Sequence, residues 1–207
     1  SLGRGLQNLA SCMLEQQRRL EASATTDSIT GIGNRRAFDN HVHNLWEKRM
    51  PCTVAFIDMD ELKGCNDHAG HKEGDHYIQR VSSLLEGVCM EGEHVFRIGG
   101  DEFVILSPWA TEHDLEQRLQ DARESFVQNM AKIVDYHCGF SFGCTHINEA
   151  TPDAYNNLLS NADQRMYEYK IHQKQLREEQ DKASRANDIY DANYGLESRI
   201  FEALSMT

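Results

Sequence analysis

The chain has 207 residues, is 40% hydrophobic and 26% charged, and carries a formal net charge of −12. Its length suits one generous α/β domain with an appendage, and its acidic balance argues against broad nucleic-acid binding, which requires a basic face. The sequence contains no apolar run long enough to span a membrane and no signal peptide. Six scattered cysteines without a CxxC pair favour a reducing, cytoplasmic location over a disulfide or metal framework.

Residues 1–24 predict a linker or signalling helix with a narrow apolar seam. This short heptad pattern, with polar Gln16 at one seam position, favours pairing with the same helix of a second chain. The alternative is a lone amphipathic helix that packs on its own domain. The seam consists of Leu2, Leu6, Leu9, Met13 and Leu20.

Residues 25–175 predict one domain in which helices and strands alternate. The expected elements are a helix over 35–48, a strand over 52–60, a loop through residues 64–70, a helix from about residue 74, short strands over 94–98 and 103–107, a helix over 112–131, a strand or strand pair over 133–147, and a helix from 153 to about 188. This order predicts an α/β (α+β) fold with a central, mostly antiparallel sheet of about five strands flanked by helices. Residues 176–207 are expected to form a helical extension that leads into a further domain.

The stretch FRIGGDEFVIL, residues 96–106, places two glycines and two acids between two runs of β-forming residues. Asp101 and Glu102 would lie at the tip of a hairpin, while Asp58 and Asp60 end the strand over 52–60. If the hairpin lies beside that strand, three or four carboxylates converge on one edge of the sheet, which is costly unless a cation neutralises them. Mg²⁺ suits such a site because it takes oxygen ligands.

The residues near these acids predict a nucleotide site. Gly99 and Gly100 leave room for a bulky ligand close to the backbone. Lys63 can hold a phosphate, while Asn66 and Asp75 can read the hydrogen-bonding edge of guanine. The alternatives are that Asp75 only caps its helix and that Asn66 only belongs to a turn.

Over residues 27–174 the chain resembles the GGDEF family of diguanylate cyclases. The resemblance is carried by five motifs in order: DSITGIGNRRAF, DMDELKGCNDHAGHKEGD, RIGGDEF, SFG and ADQRMYEYK. It implies a fold like the palm of nucleotidyl cyclases and the conversion of two GTP into cyclic di-GMP with release of two pyrophosphates. It also implies Mg²⁺ or Mn²⁺, two ions per GTP, and a homodimer formed through the N-terminal helix with the two catalytic domains face to face.

The resemblance also assigns roles to residues. It implies that Asp58, Asp101 and the backbone of Met59 bind the metal ions, and that Glu102 is a further metal ligand that activates the ribose 3′-OH. The substrate-binding residues implied in this way, with Lys63 also assigned to catalysis, are Leu62, Lys63, Asn66, Asp75, Gly99, Gly100, Lys170 and Lys174.

Four positions depart from the family pattern. Lys174 stands where arginine is common, which keeps the charge and loses a bidentate fork, and Leu62 stands where phenylalanine is usual. Many members carry an RxxD pair that binds the product and inhibits the enzyme, but this chain has Met90 and Glu93 at those positions. The resemblance therefore implies an enzyme without that inhibitory site.

Two other interpretations of the resemblance predict a broken metal-binding or base-reading position, and none of these positions is broken in this sequence. The domain would be a degenerate one that binds GTP or cyclic di-GMP without turnover, or an adaptor in which the motif is a relic. In the family interpretation, the full protein carries a sensory domain and its membrane attachment is open. Trp46 and Trp109 are predicted to serve in packing.

Overall fold

The computed structural model describes residues 12–16 and 24–205, with side chains described up to residue 183 except those of Tyr155 and Asp181. Residues 12–16 are helical, and most of the predicted linker helix over 1–24 lies outside the described residues. The chain divides into two units, Ser1–Tyr167 and Glu168–Thr207. The predicted domain boundaries at residues 24/25 and 175/176 stay a prediction.

The described residues form five strands and five labelled helices. The strands are β1 (Gly33–Asn34), β2 (Cys52–Asp60), β3 (His94–Arg97), β4 (Glu102–Ser107) and β5 (Gly139–Ile147). The helices are α1 (Arg35–Glu47), α2 (Leu62–Ala69), α3 (His71–Val88), α4 (Glu112–Met130) and α5 (Pro152–Ser205). The strands make one sheet in the order β1-β3-β4-β2-β5, in which only the β1–β3 pair is parallel among these strands. The predicted fold class is confirmed.

The sheet is covered by helices on both faces, which explains why β2 is apolar almost throughout. Of the nine residues of β2, seven are buried. On one face, Phe38 of α1 and Leu158 of α5 belong to the same buried cluster as Val54 and Val104. Side chains alternate along a strand, so the intervening residues of β2 face the opposite layer, which contains α3 and α4.

Some predicted boundaries are wrong. Residues 64–70 are largely helical, because α2 spans Leu62–Ala69, and α3 begins at His71 rather than near Gly74. The only apolar anchor of this polar helix is Cys65, which is 1% exposed, and that tertiary contact leaves no periodic pattern in the sequence. The strand predicted from residue 133 begins at Gly139, and the last helix continues to Ser205 rather than ending near residue 188.

The outer edge of β5 is closed by side chains. Arg123 donates from Nε to the carbonyl oxygen of Phe140 at 2.8 Å, and Arg165 donates from Nη1 to that of Cys144 at 2.6 Å. Arg165 also pairs with Glu112 of α4. These contacts satisfy carbonyl groups that an open sheet edge would otherwise expose to other chains.

None of the described helices combines the length and the apolar character needed to cross a membrane.

The contact of β5 with α5 gives a test of the packing. A side chain at Gly143 would meet the backbone of Met166 and Ala162, whereas one at Gly87 would meet open space. We expect Gly143→Ala to destabilise the fold by about 2 kcal/mol through overpacking. The matched Gly87→Ala should be neutral or stabilising by up to about 1 kcal/mol, because alanine favours the helix. Urea unfolding of both variants measures the difference, and equal midpoints would contradict the packing of α5 on β5.

Candidate active site

The stretch FRIGGDEFVIL forms the predicted hairpin. Between β3 and β4, the backbone N–H groups of Ile98 and Gly99 donate to the carbonyl oxygen of Glu102 at 2.9 and 3.3 Å, which closes the turn. A side chain at Gly99 would collide with the Glu102 carboxylate, whereas one at Gly100 would meet nothing. Glycine at position 99 therefore lets the Glu102 side chain fold back over the turn, and Gly100 leaves the tip of the turn open.

The register of the sheet brings three acids together. Asp58 on β2 lies directly opposite Glu102 on β4. The N–H of Met59 donates to the carbonyl oxygen of Asp101 at 2.9 Å, which ties the end of β2 to the turn. Because side chains opposite each other in an antiparallel pair are close neighbours, this end of the sheet concentrates negative charge.

The environment of this cluster changes the pKa of Glu102. Its pKa is raised above the ordinary value of glutamate by burial first, then by the charges of Asp101, Asp58 and Asp163. Arg35, at the start of α1, acts in the opposite direction. A divalent cation or a proton would relieve this repulsion.

Asp60, the other acid of β2, does not belong to the cluster. It is 1% exposed, and its Oδ1 accepts from the Ser141 hydroxyl at 2.8 Å. Burial would raise its pKa, but the neighbouring His137 side chain, the hydrogen bond from Ser141 and the charge of Arg123 hold that pKa below the ordinary value. Of the three or four carboxylates predicted to converge, three therefore do so, and Asp60 is instead a buried structural group.

An ion pair supports the turn between β3 and β4, which we call the signature turn. Arg97, the last residue of β3, donates from Nη1 to both carboxylate oxygens of Asp27 at 3.1 and 3.2 Å. Its Nη2 donates to the carbonyl oxygen of Gly100 at 2.7 Å. Asp27 also accepts from the backbone and hydroxyl of Thr30. One arginine thus joins the DSIT motif to the turn that presents Asp101 and Glu102.

The predicted guanine-reading residues lie on the α2–α3 pair. The Asn66 side chain packs so closely on Gly74 that a Cβ at position 74 would clash with it. Asp75 follows Gly74 on α3 and is exposed. It does not cap this helix, since α3 is capped at Gly70. The capping alternative is excluded, and the role of these two side chains stays a prediction.

The remaining predicted substrate residues lie on two helices. Leu62 and Lys63 open α2, with Leu62 half-buried and Lys63 exposed. Lys170 and Lys174 lie four residues apart on α5, within the second unit, and so share one face of that helix.

The same segments match a known family. The family model for the GGDEF domain of diguanylate cyclases matches residues 24–176, which is more than half of the chain. The chain belongs to the GGDEF family.

Named relatives of this GGDEF chain come from several bacteria. It is 33% identical over 165 residues to diguanylate cyclase DgcP of Escherichia coli K12, covering 76% of this chain and 48% of DgcP. It is 29% identical over 161 residues to diguanylate cyclase VdcA of Vibrio cholerae, covering 75% of this chain and 47% of VdcA. The chain therefore spans about half the length of these curated relatives.

A solved structure agrees with the fold of this GGDEF domain. The coiled coil and GGDEF domain of DgcB from Caulobacter crescentus, solved in complex with c-di-GMP, superposes with a TM-score of 0.71 and 24% identity. The superposition covers 80% of this chain and 91% of that one. At this identity the comparison supports the fold.

The donor groups of the GGDEF turn suit a divalent ion that a nucleotide helps to hold. In the part of the chain that the structure describes, no group of three or more His, Cys, Asp or Glu side chains forms a metal site by itself. Asp58, Asp101 and Glu102 nevertheless offer hard oxygen donors in one cluster, where burial and then the charges of the neighbouring acids raise the pKa of Glu102. Mg²⁺ commonly takes one or two carboxylates and completes its shell with phosphate oxygens and water, so these donors fit it.

Four residues around the GGDEF turn were not among the predicted site residues. Asp27 and Arg97 hold the turn, and Asp163 and Arg35 act electrostatically on Glu102. Asp27 and Arg97 lie inside the DSIT and RIGGDEF motifs, so their position in these motifs could have identified them as residues of the site. Asp163 and Arg35 reach Glu102 only through the packing of α5 and α1.

The raised pKa of Glu102 predicts a gain in stability when its charge is removed. Below the ordinary pKa of 4.5, Glu102 is protonated in both the folded and the unfolded state, so Glu102→Gln has little effect. As the pH rises through the higher folded-state pKa, the charged carboxylate of Glu102 destabilises the native wild-type protein. The unfolding free energy of Glu102→Gln then exceeds that of the wild type by its full amount. Urea unfolding in metal-free buffer across this pH range measures the gain.

Glu47→Gln is the matched control, because Glu47 is exposed on α1 and pairs only with His43 among the described residues. Its effect should not grow with pH in this range. A Glu102→Gln gain that is absent at neutral pH would contradict the charge cluster.

Proposed function

We propose that this chain is the catalytic part of a diguanylate cyclase that condenses two GTP into cyclic di-GMP and releases two pyrophosphates. The observation that carries the proposal is the acid cluster of Asp58, Asp101 and Glu102 at the signature turn, with the raised pKa of Glu102. The names of DgcP and VdcA as diguanylate cyclases support the same activity. A degenerate nucleotide binder would be expected to have lost one of these acids.

The acids would hold two divalent ions, Mg²⁺ or Mn²⁺, per GTP. Asp58, Asp101 and the backbone of Met59 are the proposed ligands, with Glu102 as a further one. When bound, such ions lower the charge on the phosphates and favour ionisation of an attacking hydroxyl.

Glu102 is the proposed acceptor of the proton from the ribose 3′-OH. It lies opposite Asp58 in the cluster that would hold the ions, and a carboxylate within hydrogen-bond reach of a reacting hydroxyl can take up its proton. Arg97 positions this group indirectly, since it holds the carbonyl oxygen of Gly100 in the same turn.

The nucleotide would be read by the helices beyond β2. Asn66 and Asp75 are the proposed partners of guanine, and the contact of Asn66 with Gly74 supports their lying close together. Lys63, Lys170 and Lys174 are the proposed partners of the triphosphate. Leu62, Gly99 and Gly100 are proposed to border the substrate.

Each domain would bind one GTP, so formation of the cyclic product needs two domains face to face. We propose that the helix predicted over residues 1–24 pairs with that of a second chain and brings the two sites together. A sensory domain elsewhere in the full protein would control that pairing.

The two signature acids provide the direct test. We expect Asp101→Asn and Glu102→Gln each to lower cyclic di-GMP formation from GTP and Mg²⁺ by about 100-fold or more, because each removes a group that acts on the developing charge. Glu47→Gln, which changes an exposed glutamate of α1, should retain activity. Product is measured by chromatography at several protein concentrations.

The concentration series separates the cyclase from a non-catalytic binder. Product per protein should rise with protein concentration, because the active species is a dimer. Wild-type protein that binds GTP but forms no product at any concentration would refute the cyclase. Full turnover by Asp101→Asn would refute the metal-site assignment alone.

We also propose that the enzyme lacks the RxxD type of product inhibition. Glu93 is 7% exposed, and its carboxylate is bound by both Nη atoms of Arg118 at 2.7 and 2.8 Å. It also accepts from the Ser107 hydroxyl and the N–H of Met90. These contacts commit Glu93 to the interior of the fold, and the thioether of Met90 cannot replace an arginine.

Added cyclic di-GMP should therefore inhibit turnover only by competing with GTP. Initial rates at several GTP concentrations with and without product measure this, and saturating GTP should restore the full rate. Non-competitive inhibition that Met90→Ala removes would contradict the proposal.

A further inference from the structure

A surface groove of about 690 Å³ lies between the α3–β3 turn and the start of α4, on the first unit. We call it the Trp109 groove. The residues used below to describe it are Met90, Glu91, Trp109, His113, Asp114 and Gln117. The proposed catalysis uses none of them, although Met90 also stands at the position where the RxxD arginine is absent.

Trp109 is an exposed apolar side chain that the backbone holds in place. Its side chain is 70% exposed, which corrects the prediction that it serves in packing, and Met90 beside it is 63% exposed. The indole lies on Gly92, where an added Cβ would stand 2.6 Å from its Nε1 and where φ is +83°. A tryptophan and a methionine together on a surface form an apolar patch of the kind that marks protein interaction sites.

Among the described residues that line the groove, the one Lys or Arg side chain is that of Arg118, and it is already paired. The guanidinium of Arg118 donates hydrogen bonds to the carboxylate of Glu93, and its Nη1 also donates to the carbonyl oxygen of Val88 at 2.6 Å. A phosphate would have to break the bidentate pair and leave the buried Glu93 carboxylate without its partner, which is strongly unfavourable.

The rim of the groove carries negative charge. Asp114 accepts from the Thr111 hydroxyl at 2.7 Å, and that hydrogen bond holds the pKa of Asp114 below its usual value. Among the residues that the structure describes, Glu91 and Asp114 form no ion pair, although the charges of His113 and Arg118 also act on Asp114. A ligand that covers Trp109 and Met90 therefore meets two carboxylates at the edge.

We propose that the Trp109 groove docks a segment of a partner protein that carries apolar anchor side chains flanked by lysine or arginine. The apolar anchors would cover Trp109 and Met90, where tryptophan and methionine are typical of the energetically dominant part of an interface. The basic flanks would pair with Glu91 and Asp114, which fixes the orientation of the segment and speeds its association.

The test uses a synthetic helical peptide with two leucines one turn apart and lysines on both sides. Binding is followed by tryptophan fluorescence and by backbone NMR shifts of the wild-type chain. We expect saturable binding with a blue shift of Trp109, and shifts confined to the residues of the groove. The same peptide with glutamates in place of lysines should bind at least about tenfold more weakly.

Three protein variants locate the site. Trp109→Ala should weaken binding of the lysine peptide about tenfold or more. The double variant Glu91→Gln and Asp114→Asn should weaken it about fivefold and remove the preference over the glutamate peptide. Ile133→Ala is the matched control, since Ile133 is 68% exposed outside the groove, and it should bind as the wild type does.

Three outcomes would overturn the proposal. The first is absence of saturable binding, and the second is binding that Trp109→Ala leaves unchanged. The third is concentration-dependent self-association without peptide that Trp109→Ala abolishes in sedimentation, which would make a second copy of this chain the occupant. GTP turnover of Trp109→Ala should stay at the wild-type level, so failure of the docking site is distinguishable from failure of the cyclase.

Discussion

The repulsion between Asp58 and Glu102, held directly opposite each other on β2 and β4, is the constraint on which the rest of the site depends. Like charges across an antiparallel pair are destabilising, and here Asp101 and Asp163 add to the effect on Glu102. Such an arrangement persists only when other contacts in the fold fix the register of the two strands. Its cost in stability is expected of a site that keeps negative charge ready for a cation.

Two sets of contacts hold the strands in this unfavourable register. At the turn, Arg97 joins Asp27 to the carbonyl oxygen of Gly100, with only 9% of the arginine side chain exposed. Asp27 lies near the start of the matched domain, so this one side chain ties that end of the domain to the turn that carries Asp101 and Glu102.

At the end of β2, a buried network binds the strand to β5 and α3. Asp60 accepts from Ser141, and the Tyr77 hydroxyl lies 2.8 Å from the carbonyl oxygen of Asp60 and accepts from the N–H of Gly139 at 2.7 Å. Removing any of these partners would leave a polar group unsatisfied in the interior, so the network strongly favours one register. The acids of the site thus stand on a rigid strand, as accurate positioning requires.

Local patterns were sufficient for part of this structure. The runs of β-forming residues on either side of Gly99 and Gly100 predict the hairpin. The apolar run that ends in two acids predicts the strand β2, which carries Asp58. The order of the five motifs identifies the family. These features are determined by the sequence because they depend on neighbouring residues: strand propensity, turn chemistry and the spacing of side chains.

Other features were decided only by the tertiary structure. Asp58 and Asp60 look equivalent in the sequence, yet one faces the acid cluster and the other is buried beside Ser141. The polar helix α2 has one fully buried side chain, Cys65, and the partners that cover it come from elsewhere in the fold. Trp109 looks like a packing residue, yet 70% of its side chain is exposed. Whether a side chain is buried, paired or left facing solvent depends on what the fold brings to it from distant parts of the chain, and no local pattern records that.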